Sequence, residues 1–285
     1  MTSVTVLGLG PMGQALSAAL LDAKYRTTVW NRTESKAAPM LSRGATWASS
    51  PAEAVAASDL SLINVVDHDA VDSVLEAAGD ALDGKFIIGL SSDAPDRVRQ
   101  TAKLVGDRGG RYLDGAIMTP TTTIGTSSAS ILFTGPRETF DAHRDLFSVL
   151  GQPTWLGEDY GRAAAFEMSL LSMFWTSVSG FLHAVKVAQA NGISPREFMP
   201  HARGIVDILA PIFDECAERI ENNRHGDSGA QVSSVATSVR HLIAASQDAG
   251  VDSAVLEVFQ GYVDAVVADG HGSDEASRIA DAMVR

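Results

Sequence analysis

The stretch Val4-Thr5-Val6-Leu7-Gly8-Leu9-Gly10-Pro11-Met12-Gly13, followed by Val29-Trp30-Asn31-Arg32-Thr33 and Lys36, decides the fold. A β-branched, apolar run enters GxGxxG at Gly8, Gly10 and Gly13. That spacing lets the chain turn tightly, approach a pyrophosphate closely and aim a helix N-terminus at its negative charge. It predicts the first strand, turn and helix of a dinucleotide-binding fold, with Leu9, Pro11 and Met12 also binding the cofactor. Enzymes that take NAD end the second strand in a carboxylate, which accepts from the ribose 2′-hydroxyl. Here Asn31 and Arg32 stand instead. A carboxylate repels a 2′-phosphate, whereas a guanidinium binds it through two charge-assisted hydrogen bonds; Thr33 and Lys36 add a donor and a charge. The two segments together predict NADPH. The alternative makes Arg32 and Lys36 solvated charges opening a helix.

With 285 residues the chain has room for two domains with substantial cores. A net charge of -13 weighs against general affinity for nucleic acid or anionic membranes, both of which reward clustered cations. Cys216 is the single cysteine, so there is no internal disulfide and no Cys/His metal pattern; it is expected to pack as a small core residue. No basic segment precedes an apolar stretch at the N-terminus, and no window approaches the 18 or so uninterrupted apolar residues of a membrane span. The expected location is the cytoplasm.

From residue 3 to about 156, short apolar strands alternate with amphipathic helices, which predicts an α/β, doubly wound, mostly parallel sheet. The strands read at 3-7, 27-30, 45-47, 60-66, 85-90, 111-114, 129-134 and 153-155, with helices starting near Met12, Ser35, Pro51, Asp69, Pro95 and Arg137. Ser50-Pro51-Ala52-Glu53 reads as an N-cap, a proline at N1 and an acidic first turn. Beyond Gly161 the texture changes. From Arg162 to about Asn191 the chain has no proline and keeps helical spacing, closed by Asn191-Gly192 as a C-cap. A helix of about thirty residues is on the order of 45 Å long, more than a small domain's diameter, so it is expected to link domains or protomers. Further helices read at 195-223, 229-249, 252-269 and 273-284, with a turn-rich break at Asn222-Asn223-Arg224-His225-Gly226-Asp227. The predicted domains are 1-160 for the cofactor, 161-191 for the long helix and 192-285 for an all-helical dimerisation domain. That tail is too open to bury its own apolar faces, so a homodimer with intertwined C-terminal domains is expected, its active site between subunits.

This arrangement resembles the β-hydroxyacid dehydrogenase superfamily, with its 6-phosphogluconate dehydrogenase-like C-terminal domain. In detail it is similar to the imine reductase and reductive aminase family. The resemblance spans essentially the whole chain through GLGPMG, VWNRT with its following Lys36-Ala37, YLDGAIM at 112-118 with Ile124-Gly125 beyond it, and LLSMFW with SGFLHA at 170-184. Hydroxyacid enzymes open the long helix with a glycine-rich turn, then a catalytic lysine, and carry a Ser-Gly-Gly substrate loop. This chain has Gly161-Arg-Ala-Ala-Ala-Phe-Glu-Met-Ser-Leu-Leu and Asp114-Gly115-Ala116-Ile117-Met118 there. Imine reductases usually carry Asp, sometimes Tyr or Asn, at the position that aligns with Glu167. Glutamate is a departure that keeps an acid and adds a methylene.

Hydride transfer to a carbonyl creates an alkoxide and calls for a cation or proton donor; transfer to an iminium discharges a cation. A site for iminium lacks a nearby lysine and holds an anion, or an acid that protonates a neutral imine. Glu167 suits both roles, and Phe166, Met168, Leu170 and Leu171 around it predict a partly apolar setting that raises its pKa. Read without the alignment, it is equally a solvated acid near a helix start. Trp175, about 80° further round the helix, falls where relatives present an aromatic to the substrate, and offers shape and a cation-π face but no titratable proton. Packing with Phe174 and Phe181 in a dimer core explains it as well.

Ser91, Ser92 and Asp93 lie at the carboxyl edge of the sheet, where open α/β folds bind ligands. Ser92 aligns near nicotinamide and substrate, and Asp93 replaces a glycine; capping of the next helix is the alternative. Val65 and Val66 are expected beside the riboses, Met118 and Thr119 beside the nicotinamide, and Met168 and Leu171 in the substrate pocket. The resemblance implies an NADPH-dependent reductase of cyclic imines or iminium ions, with reductive amination of a ketone by an amine as an extension. Two alternatives stay open: a β-hydroxyacid or semialdehyde dehydrogenase, and a non-catalytic NADPH-binding sensor.

Overall fold

A computed structural model of the chain describes residues 3–226 and 229–284. Its strands form one eight-stranded sheet in the order β3-β2-β1-β4-β5-β6-β7-β8. They are β1 Ser3–Leu7, β2 Arg26–Trp30, β3 Thr46–Trp47, β4 Leu60–Ile63, β5 Phe86–Gly89, β6 Arg111–Ile117, β7 Ser130–Thr134 and β8 Gln152–Trp155. All neighbours run parallel except β6 and β7. The first six strands follow the doubly wound dinucleotide-binding order, whose reversal between β1 and β4 opens a crevice at the carboxyl edge. Helices α1 Pro11–Asp22, α2 Ala38–Leu41, α3 Pro51–Ala56, α4 His68–Ala78, α5 Pro95–Asp107 and α6 Arg137–Leu150 connect them.

Two apolar layers sandwich the sheet. One joins Val4, Val6, Leu16 and Leu20 to Phe133, Phe140 and Phe147; the other joins Leu7, Ile63 and Ile87 to Val71, Leu75, Val98 and Tyr112. The near-continuous burial of Leu60-Ser61-Leu62-Ile63 reflects a central parallel strand covered on both faces.

Several boundaries differ from expectation. The fourth strand ends at Ile63, because the Val65 amide leaves the ladder to donate to Ser91 Oγ at 2.9 Å. The sixth continues to Ile117 by pairing with β7. The helix expected near Ser35 is a 3-10 turn, Glu34–Ala37, running into α2. At α3 the expected cap is present, with Ser50 Oγ accepting from Glu53 N at 3.1 Å.

The long helix α7 spans Gly161–Ala190, and Gly192, at φ +80°, takes the left-handed conformation that follows its end. The molecule divides into compact units 1–174 and 175–285, so the division falls inside α7. No uninterrupted apolar run fills this helix, yet an 18-residue window of mean hydropathy 1.3 makes it long and apolar enough to cross a membrane by length and composition. The serines and threonines that break the run are only mildly hydrophilic.

Next come α8 Pro195–Glu221, α9 Val232–Asp248 and α10 Ala254–Ala268. Ser194 and Glu197 form a reciprocal capping box that starts α8. The last expected helix is a 3-10 segment, Ala276–Met283. It closes a small core of Val232, Ala236, Val263, Val266 and Ile279. Of the expected break at 222–227, Asp227 lies outside the described residues. Cys216 is half-buried on α8 rather than in a core.

Candidate active site

The glycine turn is shaped by contacts that exclude side chains. Gly8 has φ +103°, and a Cβ there would lie 2.0 Å from the Asn64 carbonyl oxygen; one on Gly13 would lie 1.9 Å from the Gly8 carbonyl oxygen. Gly8 and Gly13 therefore let β1, the end of β4 and α1 meet at backbone distance. Gly10 is the N-cap of α1 with no side-chain cap, and Pro11 opens the helix at N1. This leaves the first-turn amides free of a capping side chain and turned toward the carboxyl edge of the sheet.

Asn31 ties the end of β2 to this turn. Its Oδ1 accepts from Leu9 N at 2.9 Å and its Nδ2 donates to the Thr33 carbonyl at 2.9 Å. Arg32, Thr33 and Lys36 are exposed beyond it, and Arg32 and Lys36 form no ion pair among the described residues. Two uncommitted cations beside a glycine cradle fit a dinucleotide carrying an extra phosphate. Val66 is 85 % exposed and Val65 half-buried, with Val65 held to Ser91 through the backbone bond already described.

At the next loop the capping alternative for Ser92 and Asp93 is not what folds. Ala94 is the N-cap of α5 and has no side-chain cap, so neither residue caps that helix. Asp93 instead accepts from its neighbour Ala94 N at 2.6 Å and from His68 N at 3.3 Å. Ser92 Oγ donates to Glu167 Oε1 in a short hydrogen bond.

Glu167 is 6 % exposed in the second turn of α7. Burial pushes its carboxyl above the ordinary glutamate range, and the Ser92 bond pulls it back. The solvated-acid alternative is therefore not what folds. The apolar neighbours do less to bury it than their identities predict: Phe166 and Leu170 are exposed, and Met168 and Leu171 half-buried. Trp175, in the second unit, is 63 % exposed.

Met118 and Thr119 follow the end of β6, half-buried. Met118 N donates to the Ser130 carbonyl at 2.9 Å, and the Thr119 hydroxyl pairs with that of Thr123. Two buried residues of this region carry no role in the sequence reading. His68, fully buried, joins Thr101 Oγ1 at 2.9 Å and the Ser91 carbonyl at 3.2 Å, bracing the loop that carries Ser91 and Ser92. Asp114 is 2 % exposed on β6; burial first and the negative charge of Glu167 second push its carboxyl well above the ordinary aspartate range, against hydrogen bonding from Tyr112 and the Gly115 amide. Its place in YLDGAIM was a landmark for alignment only, because nothing local marks it as a neighbour of a helix fifty residues away. No cluster of metal-ligating groups occurs among the described residues.

Comparison with known proteins agrees with this geometry. Residues 3–159 match the NAD binding domain of 6-phosphogluconate dehydrogenase, and residues 159–285 match the C-terminal domain described as NADPH-dependent reductive aminase-like. An NADPH-dependent reductive aminase of Aspergillus oryzae is 32% identical over 284 residues, covering 97% of this chain and 95% of that protein. Among solved structures, a Streptomyces aurantiacus imine reductase is 34% identical with TM-score 0.95, all of each chain covered. A reductive aminase from Aspergillus terreus in complex with NADPH4, cyclohexanone and allyl amine is 31% identical with TM-score 0.95, covering 99% of each chain. The glycine cradle and free cations, the acid in place of a lysine, and whole-length similarity lead to one conclusion: the chain belongs to the imine reductase and reductive aminase family, NADPH-dependent oxidoreductases that reduce C=N bonds.

Proposed function

We propose that Glu167 is the acid of this imine reductase, giving its proton to a neutral imine nitrogen or, ionised, facing an iminium. The observation that carries this reading is its burial together with the Ser92 bond. Ser92 occupies Oε1, which leaves Oε2 to hold the proton. The only lysine on α7 is Lys186, about five turns away, too remote to serve as the cation a carbonyl-reducing site needs.

When bound, NADPH supplies hydride to the C=N carbon. The amides at the start of α1 and the turn Gly8 to Gly13 hold its pyrophosphate, Arg32, Thr33 and Lys36 its 2′-phosphate, and Val65, Val66 and Ser91 its riboses. Ser92, Asp93, Met118, Thr119, Met168 and Leu171 shape the substrate pocket, and Trp175 keeps the role the resemblance gives it, an indole face for a cationic iminium. Substrates are apolar cyclic imines or iminium ions, or a ketone plus an amine condensed before reduction.

The functional parts are 1-160 for cofactor, 161-191 as the long connecting helix and 192-285 for assembly. α8 buries none of its side chains and exposes Ile205, Val206, Ile208 and Ile212, the pattern of a helix awaiting a partner. That supports a homodimer with intertwined C-terminal domains, in which the apolar face of α7 is also covered. A soluble protein of the cytoplasm follows, with neither nucleic acid nor membrane as partner.

The test follows NADPH oxidation with a simple cyclic imine, with a ketone plus an amine, and NADP+ reduction with a β-hydroxyacid, for the wild type, Glu167→Gln and Glu167→Ala. Turnover of imine in the wild type with at least about a hundredfold loss in both variants supports the reading, as expected for general acid catalysis. Undiminished imine reduction by Glu167→Gln at all pH values overturns the proton-donor role.

A further inference from the structure

Strand β6 places Tyr112 and Asp114 on one face of the sheet, since side chains alternate along a strand. Tyr112 packs in the same apolar cluster as Val98, Ala102 and Val105 of α5 and Ala164 of α7. Three residues after Ala164 on the same helix face comes Glu167; two residues after Tyr112 on the same strand face comes Asp114. One step along from the Tyr112–Ala164 cluster, strand and helix thus direct two carboxyls toward the same region, both buried.

The register closes the arrangement. Asp114 pairs with Gly89 on β5, and three residues beyond Gly89 is Ser92, whose hydroxyl bonds Glu167. Gly89 has no side chain, and the Tyr112 hydroxyl leans over it, 1.8 Å from where a Cβ would stand. That hydroxyl is buried and faces the Asp114 carboxyl, the one polar side chain that acts on it as a hydrogen-bond partner, in a geometry short of a well-formed bond.

The groups facing Asp114 are few. On β5 and β7 its register partners, Gly89 and Thr134, do not titrate. On its own strand stands Tyr112, whose buried hydroxyl interacts first with Asp114 itself and more weakly with Asp72 of α4 and with Tyr160. From α7 comes Glu167. Among the described residues no Arg or Lys forms an ion pair with Asp114, and only the Tyr112 hydroxyl and the Gly115 amide favour its charged form.

We propose that Asp114 is a positioning residue for the protonation step: Asp114 and Glu167 form a buried dicarboxylate that holds one proton between them through the neutral range. Like charges at close quarters in a water-poor site do not both ionise readily, so the pair keeps a proton to higher pH than Glu167 alone would. Glu167, the less buried member, presents it to the substrate. Burial and then the charge of Glu167 push Asp114 well above the ordinary aspartate range, in keeping with such a pair. This rests on Glu167 as the acid, so the experiment separates the two ideas.

The carboxyl groups of the cofactor-free protein are titrated by carbon-13 NMR in the wild type, Asp114→Asn and Glu167→Gln, and the pH profile of kcat/KM for a neutral cyclic imine is measured alongside, with NADPH Kd as the check on folding. Asp114→Asn is expected to move the alkaline limb to lower pH by about one unit, a roughly tenfold drop in kcat/KM at the alkaline end. In Glu167→Gln the remaining Asp114 carboxyl is expected to titrate lower than in the wild type, a readout that stands even where Asp114→Asn does not fold. An Asp114→Asn profile superimposed on the wild type overturns the proposal while Glu167 keeps its role. Full activity of Glu167→Gln removes that role and the proposal with it. An Asp114 titration indifferent to Glu167→Gln refutes the pair itself.

Discussion

Ser92, on the loop after β5, donates to Glu167 on α7 across 75 residues of chain, joining the carboxyl edge of the sheet to the long helix. The bond opposes the effect of burial on Glu167. Ser92→Ala therefore leaves burial unopposed: Glu167 holds its proton to higher pH, and the alkaline limb of the kcat/KM profile moves upward. A limb that moves downward or stays put contradicts this.

Arg32 extends beyond Asn31, exposed and without an ion pair among the described residues. Charge-assisted hydrogen bonds contribute roughly 1.5–3 kcal/mol each way they are measured, so Arg32→Ala is expected to weaken NADPH by about tenfold or more. NADH, lacking the 2′-phosphate, should lose little. Fluorescence titration with both nucleotides decides, and equal losses refute the 2′-phosphate assignment.

Asn31 fixes Leu9 N in the glycine turn, so its expected effect on the cofactor runs through that turn. Asn31→Leu deprives that amide of its acceptor at a cost of about 1–3 kcal/mol. Unlike Arg32→Ala, it should weaken NADPH and NADH alike, because the shared turn is what loosens. Preferential loss of NADPH would assign Asn31 to the phosphate instead.

Gly13→Ala drives a methyl group to 1.9 Å from a backbone oxygen that cannot rotate away. The β1 turn and α1 must separate, so both thermal stability and nucleotide affinity are expected to fall, whereas Gly10→Ala, where a Cβ meets nothing within 4 Å, should leave stability nearly intact. Thermal unfolding with and without NADPH measures the contrast.

Folding stability should carry the signature of the buried carboxyls. Glu167 and Asp114 are both pushed upward in the folded protein, so the native state binds more protons than the unfolded one. Their contribution is fully present below the ordinary carboxylate range and is lost as pH rises from there through the raised values. Tm should decline over that window, and Glu167→Gln should flatten the decline by about one proton's worth of slope. An unchanged slope argues against a raised Glu167.

The glycine spacing, the strand rhythm and the Ser50 and Gly192 helix ends were legible because each is local physics: positive φ, short apolar runs set between amphipathic helices, a cap within three residues. Boundaries failed where long-range bonds intervened, as at Val65, whose amide chooses the Ser91 hydroxyl over the strand ladder. Glu167 was legible through its place in the long helix, but its surroundings were misjudged. Phe166 and Leu170 point largely outward, and burial comes with the Ser92 loop and β6 neighbourhood instead.

By itself the sequence determined NADPH as the cofactor, since the glycine turn and the exposed Arg32 and Lys36 lie within one strand, turn, helix and strand. Tertiary structure alone decided the acid end. Ser92, Asp114 and Glu167 sit on three separate elements, and the free energy of a charge depends on what surrounds it in space. Only the packing of α7 against the Ser92 loop removes water from Glu167, and no spacing along the chain encodes that burial.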